Sequence, residues 1–506
     1  MDDLRTQGCH DRPEILDVRA PFSNFDFVES RFSKSRPLKR ILSQARMANV
    51  STLIVEQIES VGFSREDDED LREAGLELSK KKLIRLSFFK EVFPNIEDIE
   101  QQIDGDYFGY VILKEVPFGN KFKWIIFESI TRPARHDNNY YHSEKDYKVR
   151  CVGKIFNIKG NIYCQQNALT NVCAHVALRT CLSMSEAYND FSYRKMNAVL
   201  KENGLPHGLK EPLGDEQIKL ILDKLGIHYS LQAYPSHDNQ SKIPFQKYIY
   251  GSIESGYPAL LGFESGNTGH IIPVIGHTFN EDTWVPNAET SYFSIGQDTK
   301  YVPSESWVSS YICHDDNFGS HFCLPRQYLS SNEKILVIGF LPKQAKYDAI
   351  VAEAIAIDYL YLITQNLEPH PGHIWLKRLR ESVMIEKGWV VLRTIFISGK
   401  EYVKHLKSLE GWQRERIDPQ ITDKFEEILK GFYWMVEVSL PELFPANRRK
   451  LGEIILNAEV SVVPDAVSAS YMFARLPGGL YVLGEQNGKP FVSNYAMDIN
   501  THTKIY

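Results

Sequence analysis

The sequence predicts an α+β protein, on three observations. The middle of the chain sets helical segments first and short apolar strands after them. The N-terminal part changes from helical to strand-like patterning after Asp104-Gly105. A composition of 43% hydrophobic and 24% charged residues, with 26 Tyr and 27 Phe, is that of packed domains and not of a low-complexity chain. At 506 residues the chain exceeds what one core supports. Three parts are expected: 1–150, 151–345 and 346–506.

In the first part, Ser64-Arg65-Glu66-Asp67 reads as a capped helix start, and Lys80-Lys81-Lys82 suits the helix's far end. Apolar runs at 110–113 and 124–127 flank Pro117-Phe118-Gly119-Asn120, the pattern of a β-hairpin with a longer turn. A polar stretch at 135–145 closes this part. The second part offers a strand at 154–158, then helices at 172–182, near 184–203, and from Asp215 to about 225. Strands are expected at 228–231, 258–263, 270–275, 310–313 and 334–340. The third part opens with an apolar helix at 349–362 and continues with strands at 390–393 and 434–438. Its basic run at 444–450 reads as a solvated face.

The formal charge of −7 argues against nucleic acid as the main partner. Seven cysteines are too sparse for a disulfide framework and form no Cys-x-x-Cys, and no His-Glu-x-x-His occurs, so no metal and no organic cofactor is expected. The polar start Met1-Asp2-Asp3-Leu4-Arg5 lacks a signal-peptide core, and no run is long enough for a membrane span. A reducing, cytoplasmic setting is expected.

Chemistry concentrates around Cys173. Thr170 or Asn171 can cap a helix whose first turn holds Cys173, where free N–H groups and the dipole favour a thiolate. Upstream, Gln165-Gln166-Asn167 can bring a side-chain amide beside the thiol as an oxyanion donor. Downstream, His270 opens an apolar strand after Gly266-Asn267-Thr268-Gly269 and is suited to exchange the thiol proton. Asp315 and Asp316 end a later strand, where one carboxylate can orient the imidazole. His175 lies two residues from Cys173 on the same helix, so its side chain points elsewhere.

This order of residues resembles the papain-like cysteine peptidases, most closely the bacterial branch of bacteriocin leader-peptide peptidases, over residues 155–340 or so. The resemblance implies a central papain-like domain, N-terminal helices packed on an antiparallel sheet, with flanking α+β domains. It implies Cys173 as nucleophile, His270 as general base and acid, Asp315 as orienting acid and Gln166 as oxyanion donor. The family's glutamine usually stands six residues before the cysteine; here that position is Asn167, with Gln166 seven back and Gln165 eight. Asp316 rivals Asp315. The long interval 281–309 is suited to form a flap over the cleft.

The implied reaction is hydrolysis of protein or peptide amides through a thioester. Deamidation, transglutamination and other acyl transfer use the same Cys-His chemistry, and a catalytically inactive papain-fold binding module is the reading from another class. The flanking parts are suited to a regulatory protein partner.

Overall fold

The long β-branched and aromatic runs between residues 83 and 131 become neighbouring strands of an antiparallel sheet. The computed structural model describes the chain apart from residues 1–6, 10–11, 20–24, 33–34, 74, 76–82, 134–138, 142–143, 167–172, 185–190, 208–211, 235–242, 266–267, 281–300, 329–333, 367–373, 386–389, 463–468 and 487–488. Among the described residues the protein is mixed α+β, with twelve α-helices and several antiparallel sheets. None of these helices is long and apolar enough to cross a membrane. The chain divides into two compact units: one of Met1–Ile227, Pro258–Gly276 and Tyr311–Leu336, the other of His228–Tyr257, His277–Ser310 and Val337–Tyr506.

In the first unit, strands Gln7–Cys9, Thr52–Ser60, Leu83–Phe89, Tyr107–Phe118 and Lys121–Thr131 lie in that order, and Glu14–Asp17 also pairs with Thr52–Ser60. The expected hairpin closes with Phe118 opposite Lys121. One face of this sheet (Leu53, Leu86, Val111, Ile126) packs on Leu38, Ile41 and Leu42 of helix Arg36–Met47. That helix starts where Ser35 Oγ accepts from the Leu38 N–H at 3.3 Å.

Helix Cys173–Ser183, expected from its apolar run, is buried at every position from Ala174 to Ser183. It packs against strand Ala259–Ser265. One residue of this run is charged. Arg179 is fully buried and pairs with Glu128 of strand Lys121–Thr131 at 2.7 Å. Its guanidinium also donates to the Phe127 carbonyl and the Cys164 sulfur and lies 4.2 Å from the centre of the Phe63 ring. Tyr110 donates to the other Glu128 oxygen at 2.6 Å. The pair therefore joins the cysteine's helix to the first sheet. Sequence-expected strands near His270 and Asp315 appear as Thr268–Thr278 and Ser310–Asp315, which neighbour one another, with Gly319–Pro325 beyond.

In the second unit, strands Val391–Ser398, Phe432–Ser439, Gly452–Asn457 and Tyr471–Leu476 are consecutive in one sheet. Helix Ala349–Asn366 covers it, with Ala352, Ala356, Leu360 and Ile363 in the shared core. A single row across these strands is charged: Arg393 faces Glu437, Glu437 faces Glu453, and Glu453 faces Arg475. Lys450 bridges both carboxylates at 2.8 and 2.9 Å. The basic run at 444–450 thus departs from the solvated face its composition suggests. Its last residue is fully buried, because two carboxylates in adjacent strands need a cation between them.

Glu128→Gln leaves the Arg179 guanidinium buried without its counter-charge. It is expected to lower the unfolding free energy by about 3–5 kcal/mol, measured by urea denaturation. A loss below about 1 kcal/mol, the worth of an exposed pair, would show that the pair does not hold this helix.

Candidate active site

Cys173 is the first residue of its helix and half-buried, while the residues behind it are buried. Thr170, Asn171 and Asn167 lie outside the described residues. The approach to the helix is anchored on the first sheet. Tyr163 and Ser129 exchange backbone hydrogen bonds at 2.8 and 2.9 Å, and the Gln165 N–H donates to the Ile126 carbonyl at 2.9 Å. The Gln165 side chain is engaged there too, its Oε1 accepting from the Ile126 N–H at 3.2 Å. Gln166 is half-buried. Of the two glutamines, the one bound to the sheet edge is Gln165.

His270 sits in strand Thr268–Thr278, directly opposite Phe263 of Ala259–Ser265. The two rings meet edge to face at 5.5 Å, which fixes the plane of the imidazole. The His270 side chain is 19% exposed, so it reaches solvent from a largely buried position. Its Nε2 lies 3.3 Å from Asp315 Oδ2 and 3.5 Å from Asp316 Oδ1. Burial alone would lower the imidazole's pKa. The hydrogen bond to Asp315, the hydrogen bond to Cys173 and the charges of Asp316 and Asp315 outweigh it and push the pKa up to about 10. With Nε2 turned to the carboxylates, Nδ1 is the nitrogen left for Cys173.

The carboxylates occupy a tight turn. Asp315 ends its strand, and its Oδ1 accepts from the Asn317 and Phe318 N–H groups at 2.8 and 3.0 Å, an Asx-type turn that leaves Oδ2 for His270. Gly319 completes the turn at φ +112°, where a Cβ would meet Arg40 at 3.0 Å and Pro37 at 3.2 Å. Tyr163 O–H donates to the Asp315 carbonyl at 3.3 Å, so the segment leading to Cys173 also touches the turn that holds the acid. His314, one residue earlier, faces the other way and bonds the Ile162 carbonyl through Nδ1 at 3.0 Å.

Asp316 differs from its neighbour. Its Oδ1 accepts from Asn317 Nδ2 at 3.3 Å, while Oδ2 is buried with no hydrogen-bond donor. Burial pushes its pKa up to about 6, opposed by the charge of His270 and reinforced by that of Asp315. His175 is occupied elsewhere: its Nε2 bonds Asn197 Oδ1 at 3.0 Å, and burial pulls its pKa down to about 4. Residues 281–300 of the expected flap lie outside the described residues.

The structure thus brings together Cys173, His270, Asp315 and Asp316. It adds Phe263, Asn317 and Tyr163, which the linear sequence did not single out. The Asp-Asn-Phe-Gly string was the available signal for the turn. Cross-strand partners such as Phe263 have no such signal.

His270 binds its proton more tightly in the folded chain than at its usual pKa of 6.5. The imidazolium therefore stabilises the fold fully below about pH 6.5, and that contribution is lost as pH rises through about 10. An NMR titration of the His270 ring is expected to show a midpoint near 10, falling by about 1–3 units in Asp315→Asn. A midpoint near 6.5 in both proteins would contradict the charge arrangement.

No protein-family model matches the sequence, and no curated protein does. Among solved structures there is a slight likeness to UfSP from C. elegans, at 15% identity and a TM-score of 0.24, covering 36% of this chain. The match spans 33% of that chain, about a third of its length.

Proposed function

We propose that the protein is a cysteine peptidase that hydrolyses protein or peptide amide bonds, with Cys173, His270 and Asp315 as its triad. The observation that carries this reading is one imidazole that interacts with a cysteine at a helix start and lies 3.3 Å from a buried carboxylate. In the proposed reaction His270 Nδ1 takes the Cys173 proton, and the sulfur attacks the substrate carbonyl carbon. The oxyanion is held by the Cys173 N–H and the Gln166 amide. His270 returns the proton to the departing amine nitrogen, the C–N bond breaks, and a thioester remains. Water, deprotonated by His270, then cleaves the thioester and frees the acid and the thiol.

Asp315 supports this scheme because its second oxygen is fixed by two backbone N–H groups, so the imidazole is held against a rigid acid. Gln166 is preferred to Gln165 because the Gln165 side chain is taken by the Ile126 N–H. Catalysis is assigned to residues 151–345. Residues 1–150 are assigned support, since Glu128 bonds the cysteine's helix. A reducing, cytoplasmic setting suits described cysteines that form no disulfide with one another.

The test is mass analysis of products from denatured-protein and peptide-library substrates. Shortened chains are expected with the wild type, and a loss of about a thousandfold or more in Cys173→Ala. Retained cleavage in Cys173→Ala would refute the assignment. Intact products heavier by about one mass unit, or cross-linked, would move the reaction to deamidation or transglutamination on the same thioester chemistry.

A further inference from the structure

Acyl transfer needs one carboxylate behind the imidazole, and this site has two. Asp315 already orients His270, so Asp316 is left over by the mechanism. It is only 5% exposed, and its Oδ2 has no hydrogen-bond donor. Burying a carboxylate oxygen unpaired is costly, and a cation removes that cost. The spacing points the same way. Charge-assisted N–H···O contacts close to about 2.7–2.9 Å, whereas His270 Nε2 stands 3.3 Å from Asp315 and 3.5 Å from Asp316. Around a tetrahedral ion with bonds of about 2.0–2.2 Å, neighbouring donors lie about 3.3–3.5 Å apart. Donor atoms of all three residues fall within 4.8 Å of one another.

We propose that His270 Nε2 with one carboxylate oxygen each from Asp315 and Asp316 forms an inhibitory site for a divalent ion of the zinc type. One imidazole and two carboxylates are a zinc-like donor set, whereas magnesium favours an all-oxygen octahedron. A second layer is present as well: Asn317 and Phe318 N–H groups hold Asp315 Oδ1, and Asn317 Nδ2 holds Asp316 Oδ1.

The consequence for chemistry follows from the tautomer. An ion on Nε2 displaces the proton there, and the neutral imidazole keeps its one proton on Nδ1, facing Cys173. To protonate a departing amine, Nδ1 would then have to give up the last ring proton and leave an imidazolate on the ion, so release of the amine is slowed. This inhibition rests on the peptidase reading above; the binding itself does not.

The experiment is calorimetric titration of chelator-treated, full-length protein with zinc chloride. Wild type and Cys173→Ala are expected to bind one ion per chain. Loss of even an outer partner costs about 10–100-fold in metal affinity, so Asp316→Asn and His270→Ala are each expected to weaken binding more than tenfold. The two variants alter a buried and a part-exposed residue, so a folding defect in one leaves the other informative. Absence of saturable binding, or binding untouched by both substitutions, overturns the site. Binding lost in Cys173→Ala also overturns it, because the ion would then sit on the thiol. Saturating zinc should slow peptide cleavage about a hundredfold, reversed by chelator; an unchanged rate overturns the inhibition. If zinc binds as expected but ion-free Cys173 cleaves nothing, the peptidase reading fails and the site stands.

Discussion

The contact on which the cysteine's position depends is the ion pair between Arg179 and Glu128, two fully buried charges 2.7 Å apart. Removing both from water costs several kcal/mol each. That cost is offset by the remaining bonds around them: Tyr110 on the carboxylate, the Phe127 carbonyl and the Cys164 sulfur on the guanidinium, and the Phe63 ring beneath it. An apolar helix alone could rotate about its axis at little cost. Arg179 forbids this, because any rotation separates a buried guanidinium from its partner. Cys173 lies six residues away on the same helix, about 9 Å along the axis. Its direction is therefore set by a charge that never meets substrate.

The acid side of the site is held by local means. Asp315 uses one oxygen to close its own turn and offers the other to His270, so the carboxylate has little freedom to rotate. Tyr163 links the two sides, bridging to Ser129 through its backbone and to Asp315 through its hydroxyl. In the second unit the charged row Arg393, Glu437, Glu453 and Arg475 makes an instructive contrast. There every carboxylate has a cationic partner, and Lys450 fills the gap between the two acids. Asp316 has only the His270 imidazole, which it shares with Asp315. Of these carboxylates it is the one with an orphaned oxygen, which is the physical basis for treating it as a ligand site rather than a structural one.

Local patterning made much of this legible. The helix from Cys173, the Asp215–Lys224 helix, the hairpin around Phe118 and the strands near His270 and Asp315 all follow from apolar runs and turn residues. The chain order of Cys173, His270 and Asp315 could be read as a constellation, and those residues do meet. What could not be read is pairing across distance. Arg179 and Glu128 are separated by 51 residues, and nothing local marks them as partners. Glu437 and Arg393 each look like a lone charge in an apolar strand; only the register between strands puts them side by side. Lys450 read as surface for the same reason.

The central claim is that His270 takes the proton of Cys173. Alkylation by iodoacetamide, mapped to each cysteine as a function of pH, tests it without any knowledge of substrate. The account predicts that half-buried Cys173 outpaces the exposed Cys323 at mildly acid pH and that His270→Ala abolishes this lead. If Cys173 reacts no faster than Cys323, or keeps its lead without His270, the sulfur and the imidazole are neighbours that do not exchange a proton, and the catalytic reading is wrong.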